Sequence, residues 1–161
     1  MKDEKTLERI NLLHPKIRAE VSIIYDEIVT ALSGKAICRF AYTLRTFAEQ
    51  DALYAQGRTK PGAKITNAKG GQSYHNYGLA IDIVLLIGSA ASWDTKSDFD
   101  GDGKSDWQEV VSIFKRHGWE WGGDWKFTDM PHFQKTLGKS IADLQQLVKL
   151  NKVDKDGFVL I

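Results

Sequence analysis

The sequence predicts an α+β fold, a small sheet flanked by helices, on three observations. Apolar residues recur at three- to four-residue spacing between Lys16 and Leu32, the period of one helix face. Two short stretches, Ile37–Leu44 and Leu79–Ile87, are rich in β-forming residues. Two further stretches open with the residue pairs that cap helices, Thr46 with Glu49 and Ser140 with Asp143. Helices and strands mixed in this way, with no internal repeat and no linker, predict one domain over residues 1–161.

Each element has a local reason. Ile17, Val21, Ile24, Ile28 and Leu32 form the apolar stripe of the first helix, with Pro15 at its first turn. Ile37–Leu44 reads as a strand, and Thr46–Gln56 as a helix. Gly57–Tyr74 is rich in Gly, Pro, Asn and Lys and reads as a long loop, a feature that is often functional in a compact domain. Leu79–Ile87 is an apolar strand, and Gly88–Asp106 a second polar loop. Trp107–Arg116 reads as a helix ended by Gly118, Trp119–Met130 as irregular, Pro131–Lys135 as a short strand and Ser140–Leu150 as the last helix. The C-terminal DKDGFVLI reads as a further edge strand.

Bulk composition narrows the function classes. The chain has 161 residues, long enough for a real core, with 42% hydrophobic and 27% charged residues, an ordinary globular balance. A net charge of +1 gives no overall field toward nucleic acid or membrane, and neither is an expected partner. Cys38 is the only cysteine, so an internal disulfide and a Cys-based metal site are excluded. The opening MKDEKTLERI is charged and lacks an apolar h-region, so no signal peptide is expected, and no apolar run is long enough to span a bilayer.

Asp82 interrupts the apolar strand, and a buried carboxylate is costly unless something pairs with it. Of the four histidines, His14 and His117 stand at predicted helix ends, whereas His75 and His132 lie beside predicted strands and near acids. Two His and one carboxylate, leaving a position for water, is a common zinc set in hydrolases, and His75, Asp82 and His132 can supply it. The competing reading has Asp82 capping backbone amides or pairing with a buried Arg. In DMPHFQ, Asp129 stands three residues before His132 and suits a general base, provided the chain kinks at Met130-Pro131. Otherwise Asp129 only ends the preceding loop.

SYHNYGLAID, WEWGGDW and DMPHFQ together resemble the VanY-type zinc peptidases, which include D-Ala-D-Ala carboxypeptidases and L-alanyl-D-glutamate endopeptidases, with the phage endolysin branch most similar. The pattern S-x-H-x-x-G-x-A-x-D is complete from Ser73 to Asp82, and the likeness extends over YTLRTFAEQDALYAQGRTKPG, covering roughly Leu12 to Gln134. The resemblance implies a Hedgehog/DD-peptidase-like fold with a small antiparallel sheet, zinc on His75, Asp82 and His132, and Asp129 as general base. It also implies that Arg45 stabilises an oxyanion or holds a substrate carboxylate. A surface ion pair between Arg45 and Glu49 is the alternative. Ser73 is expected to support the ligands or the substrate, and Trp121 and Trp125 to line the cleft beside Tyr74 and Tyr77.

A second motif is independent of the first. DFDGDGKSDWQE satisfies D-x-D-x-D-G-x5-E with Asp98, Asp100, Asp102, Gly103 and Glu109, the spacing of a calcium loop. Lys104 would contribute its carbonyl and Asp106 its carboxylate. No helix is expected before the loop, and no sister loop is present. The plain alternative is a solvated acidic loop with Asp106 capping the next helix.

The whole points to a monomeric zinc metallopeptidase acting on the stem peptides of bacterial peptidoglycan, at the L-alanyl-D-glutamate bond, with calcium as activator. The expected setting is phage lysis, with synthesis in the host cytoplasm, holin-type release and no appended wall-binding domain. A D-Ala-D-Ala carboxypeptidase and a non-catalytic zinc-containing binding module are the alternatives.

Overall fold

A computed structural model describes residues 1–161. Its sheet is antiparallel and carries β1 (Ala36–Tyr42), β2 (Ala80–Ile87), β3 (Ala90–Ser92), β4 (Glu120–Trp121) and β5 (His132–Gln134). The strand order is β1-β2-β5-β4, with β3 beside the end of β2. The helices are α1 (Glu4–Ile10), α2 (Arg18–Ala31), α3 (Phe47–Ala55), α4 (Asp106–Arg116) and α5 (Ile141–Lys149), and single 3-10 turns occupy Tyr74–Tyr77 and Gly122–Asp124. The expected α+β class with a small antiparallel sheet is the observed one.

The core forms where helix stripes meet the inner face of the sheet. Val21, Ile24, Tyr25 and Ile28 of α2 and Val110, Ile113 and Phe114 of α4 pack on Cys38 and Phe40 of β1 and on Ile81, Ile83 and Leu85 of β2, in one continuous cluster. Alternation along β2 sends Asp82 to the opposite face. The capping boxes at Thr46 with Glu49 and at Ser140 with Asp143 both form.

The differences from expectation have physical causes. α2 starts at Arg18, after a turn at Pro15 and Lys16, so the proline lies before the helix rather than in its first turn. α1 lies in the charged opening segment, whose short length hides its periodicity. It covers the free edge of β1: Thr6 Oγ1 accepts from Phe40 N–H, Arg9 donates to the Phe40 carbonyl, and Arg39 pairs with Asp3. β3 and β4 are too short to show a pattern and exist only by pairing with β2 and β5. The C-terminal segment does not extend the sheet. It folds on itself through a Val153–Val159 bridge and packs on His14, where the Val159 carbonyl meets His14 Nε2 at 2.8 Å and Phe158 lies edge-on to the His14 ring.

Candidate active site

The outer face of the sheet assembles the site by register. Asp82 on β2 is paired directly with His132 on β5, and β4 sets Glu120 opposite Gln134. Directly paired residues share a face, so Asp82, His132, Gln134 and Glu120 stand together.

His75 arrives on the 3-10 turn Tyr74–Tyr77, which Ser73 caps by accepting from His75 N–H. Gly78 ends the turn at φ 68, a left-handed conformation, and a Cβ there would strike the His14 backbone. The turn is fastened to the connection between β1 and α3. Arg45 N–H donates to the His75 carbonyl at 3.0 Å, and Asn76 Nδ2 donates to the Arg45 carbonyl at 3.0 Å.

Three ligating atoms converge, all within 4.8 Å of one another: one each from His75, Asp82 and His132. His75 Nε2 is 3.1 Å and His132 Nδ1 3.0 Å from Asp82 Oδ1. The far nitrogens are engaged elsewhere. His75 Nδ1 is 2.8 Å from the Thr43 carbonyl, and His132 Nε2 is 2.9 Å from Gln134 Oε1. A carbonyl only accepts, so His75 carries a proton on Nδ1, and its Nε2 is the atom turned toward Asp82. Burial opposes ionisation of Asp82, but His132 and His75 outweigh it and hold the carboxyl well below its usual range. Burial also opposes a charged His132, yet Asp82, Gln134 and Asp129 raise its pKa. The donor set, two buried imidazoles and a partly exposed carboxylate, fits a divalent ion of the zinc type.

Asp129 stands at the rim, its carboxyl pKa raised by burial and then by the charge of Asp82. Its backbone is placed by Gly122: Asp129 N–H donates to the Gly122 carbonyl at 2.9 Å, and a Cβ on Gly122 would overlap the Asp129 carbonyl oxygen. That close approach accounts for the first glycine of WGGDW. The expected kink at Met130-Pro131 is present, and Ile83 N–H donates to the Pro131 carbonyl at 3.0 Å.

Arg45 is near enough for its charge to lower the Asp129 pKa, and its guanidinium lies over the Tyr42 ring at 5.2 Å. It does not pair with Glu49, whose carboxylate closes the Thr46 cap instead; Arg45 Nη1 donates to Gln50 Oε1 at 3.0 Å. Gln50 is fully buried and also donates to the Ala68 carbonyl, tying Arg45 to the long loop. Trp121 packs into the core, and its indole N–H donates to the Met130 carbonyl, so it braces the segment carrying Asp129. Trp125, half-exposed, is the tryptophan beside the ligands, 5.3 Å from the His132 ring.

The acidic loop forms a second cluster. Asp98, Asp100 and Asp106 bring ligand atoms together, as do Asp100, Asp102 and Glu109. Asp98 accepts from the amides of Gly101, Asp102 and Gly103, which curls the loop. One oxygen each of Asp100, Asp106 and Glu109 is shut from solvent without a hydrogen-bond donor. Burial and then the neighbouring Asp102, Asp100 and Asp106 push the Glu109 carboxyl up to about 7. Buried oxygens lacking donors, from hard carboxylates at this spacing, fit a calcium ion. Ser105 rather than Asp106 caps α4, and Lys104 is exposed. A cavity of about 860 Å³ lies between α2 and α4 against this loop, away from the His-Asp-His cluster.

Sequence reading missed Thr43, Gln50, Gln134 and Glu120. Gln134 carried a signal: it stands two residues after His132, and so on the same strand face.

Residues 66–135 match a peptidase M15 family model described as D-alanyl-D-alanine carboxypeptidase. The chain is 48% identical over 125 residues to the peptidoglycan L-alanyl-D-glutamate endopeptidase CwlK of Bacillus subtilis (strain 168), covering 76% of this chain and 72% of that protein. An L-alanyl-D-glutamate peptidase of Listeria phage A118 is 38% identical over 64 residues, covering 39% of this chain and 21% of the phage protein. The phage likeness is thus narrower than the bacterial one. The crystal structure of the Serratia marcescens L-Ala D-Glu endopeptidase ChiX shares the fold at a TM-score of 0.56 and 23% identity, over 83% of this chain and 88% of that one. With its ligating cluster, its fold and three quarters of its length accounted for in this way, the chain belongs to the M15 peptidase family.

Proposed function

We propose that the chain is a zinc-dependent endopeptidase cutting the L-alanyl-D-glutamate bond of peptidoglycan stem peptides. The observation that carries the metal site is the pair of imidazoles whose far nitrogens are bonded to Thr43 and Gln134 while the near ones face Asp82. The bond specificity rests on what the Bacillus, phage and Serratia relatives are named for. The phage setting, with release from the host by a holin, rests on the Listeria phage likeness alone.

When bound, zinc supplies Lewis-acid polarisation of the scissile carbonyl and makes water a better acid. Asp129 takes the proton from the attacking water and delivers it to the leaving amine. Its raised pKa suits both steps, because the carboxyl holds a proton more readily than an isolated Asp. Arg45, braced by Gln50, offers its remaining N–H donors to the oxyanion or to a substrate carboxylate. Calcium on Asp98, Asp100, Asp102, Asp106 and Glu109, with the Lys104 carbonyl, orders the loop between β3 and α4 and acts as an activator. The chain works as a monomeric single domain.

The test is metal depletion. Chelated protein should lose peptidoglycan cleavage and regain it with one equivalent of zinc, in calcium-containing buffer. Full activity after verified zinc removal would refute the metallopeptidase reading.

A further inference from the structure

We propose that Glu120 is a positioning residue which, through Gln134, dictates which nitrogen of His132 carries the proton and so keeps Nδ1 open for a metal ion. The inference rests on the metal reading above. His132 can ligate through Nδ1 only when its proton is on Nε2. Nε2–H then needs an acceptor, and Gln134 Oε1 stands 2.9 Å away. A glutamine amide can present either end, however. With its NH2 turned to His132 it would favour a proton on Nδ1, donated to Asp82 Oδ1 3.0 Å away and occupying the place of a metal ion.

Glu120 removes that ambiguity. Its carboxylate Oε2 lies 3.0 Å from Gln134 Nε2 and can only accept, so the Gln134 NH2 must point to Glu120 and its carbonyl to His132. The backbone register fixes the row, with Glu120 opposite Gln134 and His132 opposite Asp82. Gln134 is buried, 8% exposed, so water competes poorly for its amide, whereas Glu120 is exposed and can be changed without disturbing the core. An exposed charge on a two-residue edge strand thus reaches the ligand set through one amide. The Thr43 carbonyl performs the same duty for His75 by backbone geometry alone, and only His132 depends on side chains for it.

The test uses the full chain in two readouts. Nitrogen-15 NMR of zinc-free protein, at a pH high enough that the ring is neutral, reports the His132 tautomer, and competition with a chromophoric chelator reports zinc affinity. The wild type should show the Nε2–H form. E120Q should populate the Nδ1–H form and weaken zinc on the order of tenfold, and Gln134→Leu at least as much. The exchanged pair E120Q/Q134E, in which the acceptor-only group now faces His132, should restore both the tautomer and the affinity. A merely structural contact would not be rescued this way. Unchanged tautomer and affinity in E120Q, or an exchanged pair no better than E120Q, would overturn the proposal. A wild type that binds no zinc through His132 would instead sink the metal reading, and the tautomer measurement would still judge the relay.

Discussion

Removing and restoring calcium at different pH values tests the acidic loop quantitatively. Without a cation, three carboxylate oxygens are buried without donors, on Asp100, Asp106 and Glu109. An unsatisfied buried oxygen costs about 1–3 kcal/mol, so relief of all three is on the order of several kcal/mol. Linkage gives a similar size: calcium at a hundredfold over its Kd stabilises by about 2.7 kcal/mol. For a chain of this length that corresponds to a Tm rise of roughly 5–10 °C. The pH dependence in chelator has a definite sign. Folding raises the Glu109 pKa from 4.5 to about 7, so the folded state binds the extra proton. Its favourable contribution is complete below 4.5 and is lost as pH rises through about 7. Chelated protein should therefore lose stability between pH 5 and pH 8 (roughly the span bracketing that shift), and calcium should help most at the upper end. Asp106→Asn should raise the Tm of the chelated protein by removing one of the crowded charges, while abolishing the calcium response. The assay is thermal unfolding by circular dichroism. An equal calcium shift in wild type and Asp106→Asn, or none in the wild type at pH 8, would refute the loop as a calcium site.

Other consequences are sharper in kinetics. Asp129→Asn should lower kcat by about 10²–10⁴ with zinc content unchanged, and a loss of zinc instead would make Asp129 a ligand rather than the base. Gly122→Ala drives a Cβ into the Asp129 carbonyl, so kcat should fall at least tenfold while zinc affinity holds. Unchanged kcat would mean that the Gly122 contact does not place Asp129. Gln50→Leu releases Arg45 and the Ala68 loop and leaves polar partners unpaired, so KM should rise, with a stability loss of about 1–3 kcal/mol by denaturant titration.

Sequence reading reached the site largely because its chemistry is local. His75, Ser73 and Asp82 lie within one short run, and a charge in an otherwise apolar strand has few explanations. Asp129 and His132 lie just before and inside β5, so their relation survived ignorance of the sheet. Helix caps were legible for the same reason, since Thr46 with Glu49 and Ser140 with Asp143 act within one turn. What escaped depends on pairing across the sheet. Glu120 is an ordinary surface acid until β4 places it beside Gln134, and β4 has only two residues. Gln50 looked like one more polar helix residue, because only the folded loop buries it under Ala68. Trp121 and Trp125 could not be told apart by type, and the turn at Gly122–Asp124 sends one to the core and the other toward His132.

The central claim is tested most directly by digesting purified peptidoglycan with the zinc- and calcium-loaded chain and identifying the new termini by mass spectrometry. The account predicts new L-alanine C-termini and D-glutamate N-termini, absent with Asp129→Ala. Release of D-alanine alone would contradict it in favour of the carboxypeptidase that the family model's description names, and no new termini from folded, metal-loaded protein would leave a binding module.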